Sequence, residues 1–186
     1  DLALGTDKIL GTNGNDALFL QNSGTIGNLL YQKDTNHSAS EDRILGVEEI
    51  NLQDGNNFLD LTSTTTSLAT QNINITTGSG NDILWLSDAN EIISSGDGND
   101  QIIINGGIDS LTTGLGNDTV TITNSTGNLT ILDFNPLLDR FVFHASDENL
   151  TTENNSIHVN NSLGGYTLTF NDNTDLSSLY SFSTFI

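Results

Sequence analysis

Three near-copies of one turn stand 18 residues apart in this chain: Gly78-Ser-Gly-Asn-Asp82, Gly96-Asp-Gly-Asn-Asp100 and Gly114-Leu-Gly-Asn-Asp118. An acidic residue recurs every nine residues through the same region, at Asp82, Glu91, Asp100, Asp109 and Asp118. An aliphatic residue keeps the same step, at Ile75, Leu84, Ile93, Ile102, Leu111, Val120 and Leu129. A strict repeat of this kind predicts a solenoid, in which each unit of chain stacks on the one before it.

The repeat unit is predicted to be a strand rather than a helix. Nine residues make about 2.5 helical turns, so successive repeats would fall on opposite faces of a helix. Glycine in every strong repeat also disfavours a helix. Side chains alternate along a strand, so the periodic aliphatic residue points inward and its neighbours point outward. The predicted fold is all-β with two strands per coil. The strong turns lie on one edge, and the weaker units Ser87-Asp-Ala-Asn-Glu91 and Asn105-Gly-Gly-Ile-Asp109 lie on the other.

The charge of the chain bears on both its partners and its folding. There are 24 acidic residues against 4 basic ones, a formal net charge of −20, which makes nucleic acid and anionic membranes poor partners. Neighbouring strands lie roughly 4.8 Å apart, and two carboxylates at about that distance repel by roughly 3 kcal/mol at an effective dielectric of about 20. A divalent cation between the two carboxylates turns this repulsion into a net attraction. The residues therefore predict a coil that binds cations and is largely unfolded without them.

These segments resemble the RTX repeat, Gly-Gly-x-Gly-x-Asp-x-aliphatic-x, a calcium-binding β-helix repeat. The resemblance implies a right-handed parallel β-roll with two repeats per turn. It also implies several Ca²⁺ ions between stacked turns, held by the repeat aspartates and by backbone carbonyls. The implied metal-binding residues of the strong repeats are Ser79, Gly80, Asp82, Asp97, Gly98, Asp100, Leu115, Gly116 and Asp118.

Weaker matches extend this set of metal-binding candidates. A further copy of the motif near the N-terminus adds Asn13, Gly14 and Asp16. Glu91 and Asp109 are candidates on the second edge, where the motif departs from the family pattern. The segment Ile131-Leu-Asp-Phe134 is similar to the one that closes many RTX blocks. Its Asp133 either binds a last ion or caps a turn with its side chain.

The chain divides into four predicted regions. Residues 1–24 hold an N-terminal repeat pair, 25–74 form irregular β coils, 75–132 form the calcium-binding roll, and 133–186 form an antiparallel β cap. The cap is predicted from alternating apolar and polar residues, with Gly164-Gly165 as a hairpin turn. The resemblance also implies an uncleaved type I secretion signal in this last region, with a plain edge strand as the alternative.

The resemblance implies a module of a type I-secreted bacterial protein that folds on calcium outside the cell. The expected role is structural or adhesive, including self-assembly with like subunits. One alternative is a non-catalytic module of a secreted protease, lipase or alginate epimerase. Another is a calcium-dependent carbohydrate binder that uses Trp85. We predict no enzymatic activity, because nothing resembles a Gly-x-Ser-x-Gly nucleophile turn and the three histidines share no spacing. No apolar run approaches the ~20 residues of a membrane span.

Overall fold

The computed structural model describes residues 8–10, 17–19, 48–62, 72–123, 127–143, 149–153, 155–161, 164–170 and 184–185. Strands make up most of these residues. In chain order they are β1 (Lys8–Leu10), β2 (Ala17–Phe19), β3 (Glu49–Gln53), β4 (Phe58–Asp60), β5 (Asn72–Thr77), β6 (Ile83–Trp85), β7 (Asn90–Ser94), β8 (Gln101–Ile104), β9 (Ile108–Thr112), β10 (Thr119–Ile122), β11 (Gly127–Ile131), β12 (Arg140–Phe143), β13 (Asn149–Glu153), β14 (Ser156–Asn161), β15 (Gly164–Phe170) and β16 (Thr184–Phe185).

Alternate strands belong to two different sheets. One sheet has the order β1-β3-β5-β7-β9-β11-β15-β14-β13, and the other has the order β16-β12-β10-β8-β6-β4-β2. From β1 to β12 every pairing is parallel. Each coil therefore gives one strand to each sheet, as the nine-residue repeat predicts. The prediction of an all-β parallel β-roll is confirmed.

The periodic aliphatic residues form the core between the two sheets. Leu84, Ile102 and Val120 are aligned across β6, β8 and β10, and all three are fully buried. The residues next to the periodic aliphatic residues point away from the core; Ile92, which precedes the periodic Ile93, is 61% exposed. Each buried aliphatic side chain contributes about 1.5–3 kcal/mol relative to an exposed one. The inward direction predicted for the repeat is therefore confirmed.

The nine-residue register ends at β11. Ile131, rather than Leu129, aligns with Leu111, and Leu129 aligns with Asp109 instead. Leu129 is still fully buried, so it stays on the inner face. Because β11 is displaced by two residues, the column that contains Glu91 and Asp109 continues with an apolar side chain.

The C-terminal end combines roll strands with a small antiparallel segment. Strand β15 pairs in parallel with β11, whereas β13, β14 and β15 pair with one another in antiparallel fashion. Strands β12 and β16 continue the other sheet in parallel. The predicted antiparallel cap is confirmed in these three strands. The hairpin turn predicted at Gly164-Gly165 is wrong, because both residues belong to β15, where Gly164 pairs with Asn161 and Gly165 pairs with Asn160 of β14.

An aromatic cluster closes this end of the core. Phe134 lies 4.6 Å from Phe141 and 5.4 Å from Phe170 between ring centroids, and all three rings are buried. Offset and tilted ring pairs add about 0.5–1.5 kcal/mol beyond the area they bury. The cluster covers the apolar interior of the last coil. Among the described residues there is no helix long and apolar enough to cross a membrane.

Candidate metal centres on the turn edges

In the part of the chain that the structure describes, five turns stack on one edge of the roll and align one polar side chain from each. The backbone N–H of each ladder residue donates to the Oδ1 atom of the next, at 2.7, 2.8, 2.9 and 3.1 Å in order along the chain. The ladder residues are Asn57, Asp82, Asp100, Asp118 and Asp139. One carboxylate oxygen of each aspartate is therefore used to hold the preceding turn in place.

Glycine allows the turns to approach this closely. Gly98 has φ of 145°, and a Cβ atom added to it would lie 1.8 Å from the carbonyl oxygen of Gly80. Gly116 stands in the same relation to Gly98 one turn later, at 1.6 Å. No side chain fits at that distance, so the motif's glycine is required by the stacking and by the backbone angle together.

The second oxygen of the three central aspartates has no hydrogen-bond partner among the described residues. These are the Oδ2 atoms of Asp82, Asp100 and Asp118, whose residues are 0%, 1% and 1% exposed. A buried ionised oxygen without a partner is strongly destabilising, so such a group takes up a proton or binds a cation.

The nearest hydroxyl groups do not satisfy these oxygens. Thr77 and Ser95 stand where the RTX motif has its first glycine, close to Asp82 and Asp100. A hydroxyl has one proton to donate. Thr77 donates its proton to the carbonyl of Ser95, and Ser95 donates to the carbonyl of Thr113 at 2.9 Å. The carboxylate oxygens are left as acceptors without donors.

The two ends of the ladder are completed differently. At Asn57, which holds the ladder position with an amide, Nδ2 donates to the carbonyls of Gln53 and Gly55 at 3.0 and 3.1 Å. At Asp139, Oδ2 accepts from the N–H of Asn135 at 2.7 Å. Asn57 shows that the second terminal atom of a side chain at a ladder position lies against carbonyl oxygens of its own turn. A carboxylate at the same position directs an acceptor toward other acceptors, and oxygen-rich surroundings of this kind suit Ca²⁺.

Burial changes the acidity of the ladder. The pKa of Asp100 is raised to about 7, mainly by burial and to a smaller extent by the charges of Asp82 and Asp118, against the hydrogen bonds that lower it. Burial also raises the pKa of Asp118 to about 6, with smaller contributions from the charges of Asp139 and Asp133. The pKa of Asp82 is raised by burial as well. The ladder therefore disfavours full ionisation unless positive charge is supplied.

The opposite edge brings together Glu91 and Asp109, which are 0% and 3% exposed. The N–H of Glu91 donates to Asp109 Oδ1 at 3.0 Å. Glu91 Oε1 accepts from the N–H of Ser87 at 3.1 Å and from its hydroxyl. Within the described part of the chain, Glu91 Oε2 and Asp109 Oδ2 have no partner. Burial raises the pKa of both carboxyl groups, and the charge of Glu91 adds to the effect on Asp109.

The structure places the other predicted metal-binding residues as follows. The carbonyls of Ser79, Asp97 and Leu115 accept the N–H groups of Gly55, Gly80 and Gly98 at 2.7 Å each. The side chains of Ser79, Asp97 and Leu115 are exposed. Asn13, Gly14 and Asp16 lie outside the described residues.

Asp133 lies at the last turn of this edge and uses both of its carboxylate oxygens. Oδ1 accepts from the N–H of Thr113 at 2.9 Å, and Oδ2 accepts from the N–H of Gly114 at 2.8 Å. Both oxygens thus bind backbone N–H groups 20 and 19 residues earlier in the chain, so Asp133 holds the preceding turn of the roll in place.

Each turn contributes one ladder carboxylate, and over the described ranges no three His, Cys, Asp or Glu side chains converge. A calcium ion on this edge would therefore need backbone carbonyls or water to complete its six to eight oxygen ligands. The residues that fit such an ion are Asp82, Asp100 and Asp118, because each has a buried oxygen with no other partner.

Sequence reasoning missed two ladder positions and a second ladder. Asn57 lies 25 residues before Asp82, and Asp139 lies 21 residues after Asp118, so neither keeps the period. The second ladder is formed by asparagines, whose Oδ1 atoms accept the N–H of the next asparagine at 2.7–2.8 Å: Asn56, Asn81, Asn99 and Asn117. The recurring Gly-Asn-Asp triplet is the sequence feature that could have predicted this asparagine ladder.

Comparison with known proteins agrees with this geometry. Residues 74–102 and 103–121 match the family model described as RTX calcium-binding nonapeptide repeat (4 copies). Among solved structures, the chain is similar to the crystal structure of extracellular lipase LipA from Serratia marcescens, with 10% sequence identity and a TM-score of 0.35. That match covers 97% of this chain and 40% of the lipase chain. No curated protein sequence matches this chain.

Proposed function

We propose that the RTX repeats of residues 74–121 make this chain a module that folds when it binds calcium outside the cell. The repeats are calcium-binding, and an RTX repeat module is non-catalytic in itself. The observation that carries the proposal is the row of buried, unpartnered Oδ2 atoms on Asp82, Asp100 and Asp118. Several ions bind along this ladder and on the opposite edge at Glu91 and Asp109.

The energetics follow from the spacing of the turns. Ionised neighbours in the ladder repel by roughly 3 kcal/mol per pair. The coil must also offset the entropy of ordering many Gly, Asn and Ser residues with a core one side chain wide. Calcium converts each repulsive pair into a bridged pair. Extracellular calcium modules bind with dissociation constants of about 10⁻⁴–10⁻³ M. Such a chain stays loose in a low-calcium cytosol and closes after secretion.

We further propose a structural or adhesive role in a bacterial surface or matrix protein. The net charge of −20 keeps neighbouring chains apart until divalent ions bridge them. Among the described strands β13 is the last of its sheet, and its outer backbone groups offer a pairing edge to a like subunit. Calcium therefore controls both closure of the coil and its association.

One surface feature favours carbohydrate binding as a second candidate function. Trp85 is 37% exposed on the outer face of its sheet, and Phe58 meets it edge-on with ring centroids 5.4 Å apart. Exposed aromatic rings present an apolar face with a polar tip, which is common at binding surfaces. A glycan array in calcium, with Trp85→Ala as the control, tests this function. Equal signals from both proteins would exclude a Trp85 platform.

The main proposal is tested by circular dichroism and calcium titration of the intact chain. We expect a β spectrum in millimolar calcium, a largely unfolded spectrum in excess EGTA, and recovery when calcium is restored. Magnesium should be a poor substitute, because it demands near-octahedral geometry and dehydrates reluctantly. A fully folded spectrum in chelator would contradict calcium-dependent folding.

A further inference from the structure

Three buried polar atoms that have no hydrogen-bond partner among the described residues lie on the second edge and the cap. Two are carboxylate oxygens, Glu91 Oε2 and Asp109 Oδ2, and the third is the hydroxyl of Tyr166 on β15. The residues are 0%, 3% and 1% exposed, so water does not reach these atoms easily. Leaving a buried hydroxyl unpaired costs about 1–3 kcal/mol. Three such atoms on different elements require a common explanation.

A column of glycines brings the ring of Tyr166 to the carboxylates. Tyr166 is paired with Gly127 across β11 and β15. A Cβ added to Gly127 would lie 2.8 Å from Tyr166 Cε2 and 2.8 Å from the carbonyl oxygen of Gly107. A Cβ added to Gly107 would in turn lie 3.2 Å from Asp109 Oδ1. The missing side chain at Gly127 thus leaves the space that the tyrosine ring enters, and Gly107 lies next to Gly127 and close to Asp109.

The surroundings keep the phenol neutral. Burial raises the pKa of the Tyr166 hydroxyl above its ordinary value, and the charges of Asp109 and Glu91 raise it further. A neutral phenol oxygen beside two carboxylates adds an oxygen without adding charge. The column supplies no other acid at this point, because Leu129 follows Asp109 in register.

We propose that Tyr166 supplies a third oxygen to a calcium ion held by Glu91 and Asp109, so that docking of the cap and filling of this pocket are one coupled step. The inference rests on the proposed function, since it assumes that the second edge binds calcium. Ca²⁺ accepts neutral and charged oxygen ligands together, and two carboxylates balance its charge. Tyr166 follows Asp109 by 57 residues, so the pocket is complete only after the last long strand has paired.

The test uses terbium, which occupies calcium sites and emits when a nearby tyrosine is excited. The intact chain carries Trp85→Phe throughout, so that tryptophan does not contribute to the emission. Tyr166→Phe keeps the ring and removes the hydroxyl. We expect it to lose a large part of the tyrosine-sensitised emission. Leu168→Val is the matched control, because Leu168 is fully buried on the same strand and has no polar atom. Its emission should stay close to that of the parent.

Hydrogen exchange gives the second readout, over peptides that cover β13 to β15. We expect the calcium concentration at half-protection to rise about threefold to tenfold in Tyr166→Phe, the effect of losing one interaction of ordinary hydrogen-bond strength. Asp109→Asn should have a similar effect, and the double variant should be little worse than either single variant, because both act on one site.

The outcomes separate this inference from the proposed function. If the parent shows no calcium-dependent protection anywhere, the proposed function fails. If the parent folds on calcium but Tyr166→Phe keeps its emission and its midpoint, the coupling through Tyr166 is refuted and the calcium ladder stands. Additive effects of Tyr166→Phe and Asp109→Asn would also refute it, with the two carboxyl groups then sharing a proton instead.

Discussion

Replacing Asp100 by asparagine tests the ladder at its centre. The substitution keeps Oδ1, which accepts the N–H of Asp82 at 2.8 Å, and replaces the unpartnered Oδ2 by an amide NH₂. Asn57 already shows this arrangement in the chain, since its NH₂ donates to two carbonyls of its own turn. We therefore expect Asp100→Asn to make one turn independent of calcium and to remove the ion that Asp100 binds.

The magnitude follows from the two neighbours of Asp100 in the ladder, Asp82 and Asp118. Each ionised pair costs roughly 3 kcal/mol at the strand spacing, or about 6 kcal/mol for both. With a pKa of about 7, Asp100 is half protonated at neutral pH, so about half of that cost is relieved. Two new hydrogen bonds add about 1 kcal/mol each. The calcium-free coil should therefore gain about 3 to 5 kcal/mol in free energy of unfolding.

The assay is the folded fraction in EGTA by circular dichroism and urea unfolding in saturating calcium, with calorimetric counting of bound calcium. Asp97→Asn is the matched control, because it makes the same charge change in the same turn on an exposed side chain. The calcium-free Asp100→Asn chain should be more stable than the calcium-free parent and should bind fewer ions. Asp97→Asn should behave like the parent. If the two variants have the same ion count and the same calcium midpoint, ladder carboxylates do not bind the ions.

Further tests concern the end of the ladder, its acidity and its close packing. Asn57→Asp should lose two hydrogen bonds and add a carboxylate, so we expect it to raise the calcium concentration needed for folding. A calcium midpoint equal to that of the parent would contradict the inference that an amide at a ladder position removes the need for an ion. The pKa of Asp100 is raised to about 7 and that of Asp118 to about 6 from an ordinary value of 3.8, so the folded chain holds these protons more tightly than the unfolded chain. Stability without calcium should therefore be greatest below pH about 4 and should fall as the pH rises through about 6 to 7, as the folded fraction in EGTA measured by circular dichroism would show, while calcium affinity should rise over the same range. Gly98→Ala should prevent the turn from stacking, since its Cβ would lie 1.8 Å from the Gly80 carbonyl oxygen, and we expect a loss of more than about 4 kcal/mol by urea unfolding in calcium.

The regular part of the fold could be predicted from spacing alone. When all units of a coil have the same length, residues that are one full coil apart in sequence occupy the same position in successive coils. Ile102 therefore had to align with Leu84 and Val120, and the three strong aspartates had to share an edge. Strand alternation then decides which residues face inward. The core residues, the two edges and the central carboxylates all follow from this one period.

Tertiary structure decided what lies beyond the period. Asn57 and Asp139 join the ladder across steps of 25 and 21 residues, and Tyr166 pairs with Gly127 across 39. Which residues meet across such steps depends on how many residues each turn takes up, and β11 shows that two extra residues change the partner of Asp109 from Gly127 to Leu129. A sequence repeat predicts the contacts between its own units, because each unit is a copy of the one before it. The contacts of its ends depend on irregular turns, whose paths are set only when the strands on either side have packed.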